Sequence, residues 1–131
     1  MKQITVITEN KVGVLVGVCD ALGSANINID SILGEGIAET GVIRIMVEDV
    51  GSAVKVLKKR GFKVLESDVI TIKVANKPGE VARIARKLAQ KKVDLQYIYL
   101  LTTSEKEGRL LIKPDDFERA LKALDDEDYE F

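Results

Sequence analysis

The sequence contains no histidine. A His general base, a Ser–His or Cys–His pair and a His-ligated metal site are therefore excluded. Cysteine is nearly as scarce. Cys19 stands alone, so neither an intrachain disulfide nor a thiolate cluster can form, and a single free thiol agrees with a reducing cytoplasm. Neither sign of charge dominates. Twenty basic and 21 acidic residues leave a net charge of −1, which removes a broad electrostatic drive toward nucleic acid or an anionic membrane. Membrane-length apolar runs are missing as well. Uncharged stretches such as Val12–Cys19 and Ala21–Ile29 fall far short of the roughly 20 residues that cross a bilayer. The first residues alternate and reach Glu9 early, unlike a secretory signal. With 46% apolar and 31% charged residues the composition is globular, and 131 residues close one ordinary domain or two very small ones.

What is present is a repeat. Ile4-Thr5-Val6 and Ile70-Thr71-Ile72 are followed at the same distance by Asn10-Lys11-Val12-Gly13 and Asn76-Lys77-Pro78-Gly79, an offset of 66. Val18, Leu22, Ile27 and Ile32 meet Ile84, Leu88, Val93 and Ile98 at that offset. Beyond the next loop the offset is 67, pairing Gly41 with Gly108 and Ile45 with Ile112. Each repeat starts with strand alternation (Ile4, Val6; Ile70, Ile72, Val74). A helical stripe follows at i, i+3, i+4, i+7: Leu15, Val18, Cys19, Leu22, then Val81, Ile84, Ala85, Leu88. Two strand-like runs come next. Ile27–Leu33 and Val42–Val47 flank a loop with Gly34, Gly36 and Gly41, and Leu95–Leu101 and Arg109–Lys113 flank Thr102–Gly108. A second helical stripe (Val50, Ala53, Val54, Leu57; Phe117, Ala120, Leu121, Leu124) and a last strand (Phe62–Leu65; Tyr129–Phe131) close each repeat. The order β-α-β-β-α-β, twice, predicts an α+β chain. It has two ferredoxin-like units in tandem, residues 1–67 and 68–131, each an antiparallel sheet with its helices on one face. The joining segment Leu65–Val69 is short and has no Gly/Pro run.

The turn between first strand and first helix is the candidate site. It reads Asn10-Lys11-Val12-Gly13-Val14-Leu15 and Asn76-Lys77-Pro78-Gly79-Glu80-Val81. Glycine admits a ligand close to the backbone, and Pro78 suits a first helical turn. Free N–H groups at a helix start attract a carboxylate, worth about 0.3–1 kcal/mol when exposed and up to about 2 when partly buried. Asn offers a donor and an acceptor to an α-amino or α-carboxylate group. The competing reading is helix capping by Asn.

Asn76–Leu88 with Val93-Asp94-Leu95 resembles the ACT domain family, and Asn10–Leu15 with Leu22 and Asn26–Ile29 resembles it too. The resemblance spans nearly the whole chain as two copies without an attached enzyme. It implies a regulatory protein that binds an amino acid or similar small metabolite where domains meet. The implied contacts are Asn10, Lys11, Val12, Gly13, Val14 and Leu15 and Asn76, Lys77, Pro78, Gly79, Glu80 and Val81, with Asn28, Ile29, Asp94 and Leu95 supplied by the facing second strand. The pattern is broken at Val12, where Pro is common, and at Glu80, where an aliphatic residue is usual. Glu80 repels a carboxylate but complements the helix dipole. The first unit is thus the better ligand site, and the second serves assembly.

Other features read as structural. Cys19 falls on the apolar stripe as a buried, inert thiol. Gly36–Gly41 has phosphate-loop glycine spacing, but Val42-Ile43 follows in place of Lys and Ser/Thr, so it is read as a hairpin. Asp125–Asp128 lacks EF-hand spacing and is read as a solvated acidic end. Tyr97 and Tyr99 share a strand face, for a site or for sheet packing. An RNA-recognition module has this strand order, but Gly41–Val47 carries no aromatic, and Arg60-Gly61-Phe62-Lys63-Val64 sits on the fourth strand. The expectation is a cytoplasmic, homodimeric amino-acid sensor without cofactor, metal, nucleic-acid or membrane partner. The alternatives are an interaction module acting as the regulatory subunit of an enzyme, and an enzyme working through carboxylates and Lys.

Overall fold

A computed structural model describes residues 1–131. The chain divides into two compact units, residues 2–67 and residues 68–131 with Met1. The first contains β1 (Lys2–Glu9), α1 (Val14–Ser24), β2 (Ser31–Ile37), β3 (Thr40–Met46), α2 (Val50–Lys59) and β4 (Lys63–Asp68). The second contains β5 (Ile70–Ala75), α3 (Glu80–Gln90), β6 (Leu95–Thr102), β7 (Glu107–Pro114), α4 (Phe117–Ala123) and β8 (Tyr129–Glu130). The sheets run β2-β3-β1-β4 and β6-β7-β5-β8. The pairs β1–β3, β2–β3, β5–β7, β5–β8 and β6–β7 are antiparallel, and this is the ferredoxin-like arrangement, twice.

The register explains the cores. Ile4 lies opposite Ile45 and Val6 opposite Ile43, so alternate residues of β1 and β3 face α1 and α2. They bury against Val18, Leu22, Ala53 and Leu57. In the second unit Ile70 lies opposite Ile112 and Ile72 opposite Leu110, packed with Ile84, Leu88 and Leu124. Both first helices end alike. The N–H of Ile27 donates to Leu22 O and that of Val93 to Leu88 O (2.9 Å each), with Asn26 and Lys92 in the left-handed region.

Several sequence expectations shift. The second strand does not begin at Ile27. It is Ser31–Ile37, and Gly34-Glu35-Gly36, expected in a loop, pairs with β3 through Gly34↔Ile43 and Gly36↔Gly41. Pairing with an already anchored β3 outweighs glycine's weak strand propensity. The expected link Leu65–Val69 is mostly β4, and Val69 alone, fully buried, separates β4 from β5. The stripe of α1 is Val14, Val18, Ala21 and Leu22. Leu15, about 100° around the helix from Val14, is 52% exposed, and Cys19 is half-buried rather than buried. In α3, Val81 and Ala85 likewise lie outside the buried set of Ile84 and Leu88. Phe62, which lent an RNA-binding look to the fourth strand, packs on the core beneath the helices. No helix is long and apolar enough to cross a membrane.

Candidate functional site

β1 ends at Glu9, and the turn that follows is fixed by its own backbone. The Asn10 N–H donates to Glu39 O (2.8 Å), and the Asn10 Nδ2 amide donates to Ala38 O (3.0 Å). In the second unit the Asn76 N–H donates to Lys106 O (2.8 Å), and Asn76 Nδ2 donates to Ser104 O and Glu105 O (3.3 and 3.2 Å). The expected alternative, Asn as helix cap, is corrected. The caps are Gly13 (φ 93°) and Gly79 (φ 90°), neither helix start has a side-chain cap, and each Asn instead latches the tip of the neighbouring hairpin. The left-handed turn needs glycine because an L side chain there costs about 1–2 kcal/mol. Pro78 precedes the helix rather than opening it, since α3 begins at Glu80. At the start of α1, Val14 N–H closes onto Lys11 O (3.4 Å) and Gly17 N–H onto Gly13 O (3.0 Å). The intervening N–H groups of Leu15 and Val16 belong to the set a helix start leaves without an intrahelical partner.

Beside this turn the first unit holds a cleft of about 250 Å³, lined by Thr8, Asn10, Lys11, Val14, Leu15, Gly34, Glu35 and Gly36 and floored by Val42 and Ile43. The matching hollow in the second unit, between Asn76, Lys77, Glu80, Val81 and β6, holds only about 30 Å³. Substitutions at equivalent positions account for the difference. Gly34 corresponds to Leu100 and Gly36 to Thr102. A Cβ at Gly34 would meet nothing within 4 Å, whereas the Leu100 Cδ1 lies 3.2 Å from where a Cβ on Gly108 would stand. Gly36 has a further duty, because a Cβ there would fall 2.5 Å from Asn10 Nδ2. Its bare backbone lets the Asn10 amide lie across the strand.

The electrostatics differ likewise. At the rim of the first cleft Lys11 pairs with Glu9 (2.8 Å), and this hydrogen bond and its Coulomb attraction lower the Glu9 pKa and raise that of Lys11. Both are solvent-exposed, so the pair is weak. In the second unit Glu80 occupies the first turn of α3, nearly buried, held by Arg83 (2.9 Å) and Lys77 (3.8 Å). The repulsive carboxylate expected there is thus already paired. The acidic end is not simply solvated either. Glu127 is 9% exposed and receives Arg83 Nη1 (2.6 Å) and Lys87. Chiefly the Arg83 hydrogen bond, against the cost of burial and aided by Lys87, brings its pKa down to about 2.

The remaining candidates lie elsewhere in their units. Val12 projects fully into solvent. Asn28 and Ile29 precede β2 at the end away from the hairpin, about 20 Å along the strand, where Asn28 Nδ2 donates to Asp30 Oδ1 (3.2 Å). A recess of about 510 Å³ sits at that end among Asn26, Asn28, Asp30, Glu48 and Asp49. Asp94 is used structurally. Its Oδ1 accepts from Leu95 N–H and its carbonyl from Asp115 N–H (3.0 and 2.9 Å), while Leu95 packs on the core. From these places the four residues do not touch a ligand at the turn of their own unit. Gly34, Gly36 and Thr8 escaped the sequence reading as site residues: the repeat offset sets Gly34 against Leu100, but only the pairing of β2 with β3 brings that difference beside the turn.

Fold and turn together define a duplicated ferredoxin-like module with one open and one closed strand–helix cleft. The chain belongs to the ACT domain pair family, whose model matches residues 1–131. It is similar to protein BT0572 from Bacteroides thetaiotaomicron, at 29% identity and TM-score 0.91 over 98% of this chain and 90% of that one. The ligand-free regulatory subunit of aspartate kinase from Thermus thermophilus superposes with TM-score 0.69 at 20% identity, covering 95% of this chain and 91% of that one. A structure of the aspartokinase alpha and beta subunits gives 0.67 at 24% identity, covering 95% and 90%. The last two likenesses show the shared fold. No curated protein matches the chain in sequence.

Proposed function

We propose that this ACT domain pair is a regulatory sensor of an amino acid, without catalysis of its own, working as a homodimer in the cytoplasm. The observation that carries the reading is the cleft of about 250 Å³ at the first strand–helix turn. A ligand α-carboxylate takes the Leu15 and Val16 N–H groups and the α1 dipole. The α-ammonium faces the Asn10 amide oxygen and the Glu35 carboxylate, and the side chain lies over Val14 and Leu15. Lys11, Val12 and Gly13 shape the turn. Asn76, Lys77, Pro78, Gly79, Glu80 and Val81 form the closed counterpart and take no ligand. Binding that favours one arrangement of the protein over another is all that regulation requires.

Thermal unfolding with each of the 20 amino acids in turn tests this. A cognate ligand at 100 times its Kd adds about 2.7 kcal/mol, and calorimetry then gives one ligand per chain. No shift with any amino acid overturns the sensor. The second reading, an interaction module that acts as regulatory subunit of an enzyme, draws support from the two aspartate kinase structures named above. It takes over if no amino acid binds and one enzyme co-purifies with the chain.

A further inference from the structure

The second unit holds, as part of its own chain, the group that the first cleft lacks. Gly34 pairs with Ile43 on β3, and Leu100 pairs with Leu110 on β7. Ile43 and Leu110 are buried in their cores, so Gly34 and Leu100 both face the helix side of their sheets. In the second unit the Leu100 side chain crosses to Gly108. Its Cδ1 lies 3.2 Å, and Val74 Cγ2 3.7 Å, from where a Cβ on Gly108 would stand. In the first unit Gly41 takes the place of Gly108 and Thr8 that of Val74. Thr8 still turns its Cγ2 methyl to that place, at 3.1 Å from where a Cβ on Gly41 would stand. The next nearest atoms there belong to Glu9 of β1, and none of the three comes from β2. Gly34 has no side chain to send, and a Cβ on it would meet nothing within 4 Å. The first cleft is thus the second with an isobutyl group removed.

We propose that this cleft selects an amino acid with a four-carbon branched aliphatic side chain, leucine or isoleucine. That side chain lies over Gly34 and Gly41 as the Leu100 side chain lies over Gly108. The proposal rests on the sensor reading, whose site it shares, and adds the class of ligand. The walls agree with it. Val14 and Ile43 are apolar, Lys11 and Glu9 pair with each other at the rim (2.8 Å), and the Asn10 amide nitrogen is already given to Ala38 O (3.0 Å). A charged or hydroxylated side chain over Gly34 therefore loses water without gaining a partner. A shorter chain leaves part of the space unfilled and forfeits its contacts. An aromatic ring is broader than the isobutyl group that fits the twin hollow, and it runs into the Thr8 methyl and the Glu9 carbonyl.

Calorimetric titration of the full chain with leucine, isoleucine, valine, methionine, phenylalanine, threonine, lysine and aspartate tests it, and the ranking needs no variant. Leucine or isoleucine binds tightest. Valine binds at least about tenfold more weakly, since one methylene in an apolar pocket is worth about 10–200-fold. Gly34→Ala then places a methyl group where the ligand branch would lie, in space that is open in the free protein. The ligand-free variant keeps its melting temperature, and the advantage of the tightest ligand over valine falls about tenfold. Tightest binding of valine, methionine or any aromatic, hydroxylated or charged amino acid overturns the proposal and leaves the sensor reading standing. So does an advantage over valine that survives Gly34→Ala in the folded variant. Binding of no amino acid at all overturns both.

Discussion

The two units share a fold and a register but fasten their first helices by opposite chemistry. Under α1 the fastening is apolar. Gly17 leaves room for Phe62, whose Cζ lies 3.4 Å from where a Cβ would stand. At the equivalent positions α3 has Arg83 for Gly17, Lys87 for Ala21 and Glu80 for Val14. There the contact is a cluster in which Arg83 joins Glu80 and Glu127 (2.9 and 2.6 Å) and Lys87 joins Asp126 (2.7 Å) and Glu127. A duplicated fold thus keeps what the core requires and lets the helix surface diverge. Strand order and core register are common to both copies because changing either exposes a whole apolar face. The turn, the cleft and the helix flank are free to specialise, and here one copy opened and the other closed.

Three perturbations sharpen or break that comparison. The largest effect is expected in the shared core, where Leu22 and Leu88 occupy equivalent, buried positions. Leu22→Ala and Leu88→Ala should each cost about 2–5 kcal/mol in chemical denaturation. A tolerant Leu88 beside a sensitive Leu22 would show that the cores are not equivalent. Next comes the cleft. Gly34→Leu copies the residue that closes the second unit, and amino-acid affinity by calorimetry should fall at least tenfold, or about 1.4 kcal/mol, with the melting temperature retained. Unchanged affinity would place the ligand elsewhere. The smallest effect belongs to the ionic flank. Glu127→Gln should destabilise the second unit by about 1–2 kcal/mol at neutral pH, read by amide exchange in α3 against α1. Because the folded Glu127 pKa is lowered from 4.5 to about 2, its contribution is complete above about pH 4.5 and lost as pH falls toward 2. Acid should therefore loosen α3 before α1, and the variant should abolish that difference.

Much of the architecture was legible in the residues. Alternation in Ile4–Val6 and Ile70–Val74, helical spacing in Val18–Leu22 and Ile84–Leu88, and the repeat itself gave eight strands and four helices in the observed order. The illegible parts have physical causes. Gly34 and Gly36 read as a loop because strand propensity is local, whereas their pairing with Ile43 and Gly41 is not. Leu15 and Val81 fit a helical stripe by spacing, but only the sheet decides which arc of a helix it covers. Asn10 and Asn76 looked like caps because side chains of that type satisfy helix N–H groups, and nothing local announced that a hairpin tip 28 residues away would take their amides. Asp125–Asp128 looked solvated because its cations come from α3, some 40 residues earlier.

By itself, then, the sequence determined a twofold βαββαβ chain, with glycine turns at two helix starts and no histidine chemistry. Periodicity and residue type are local properties, and they suffice for that much. The tertiary structure alone decided that one turn opens on a cleft while the other is filled, and that Glu127 is an anchor. Both outcomes depend on side chains distant in sequence being brought within a few ångströms, and on whether a β-carbon finds space or another atom there.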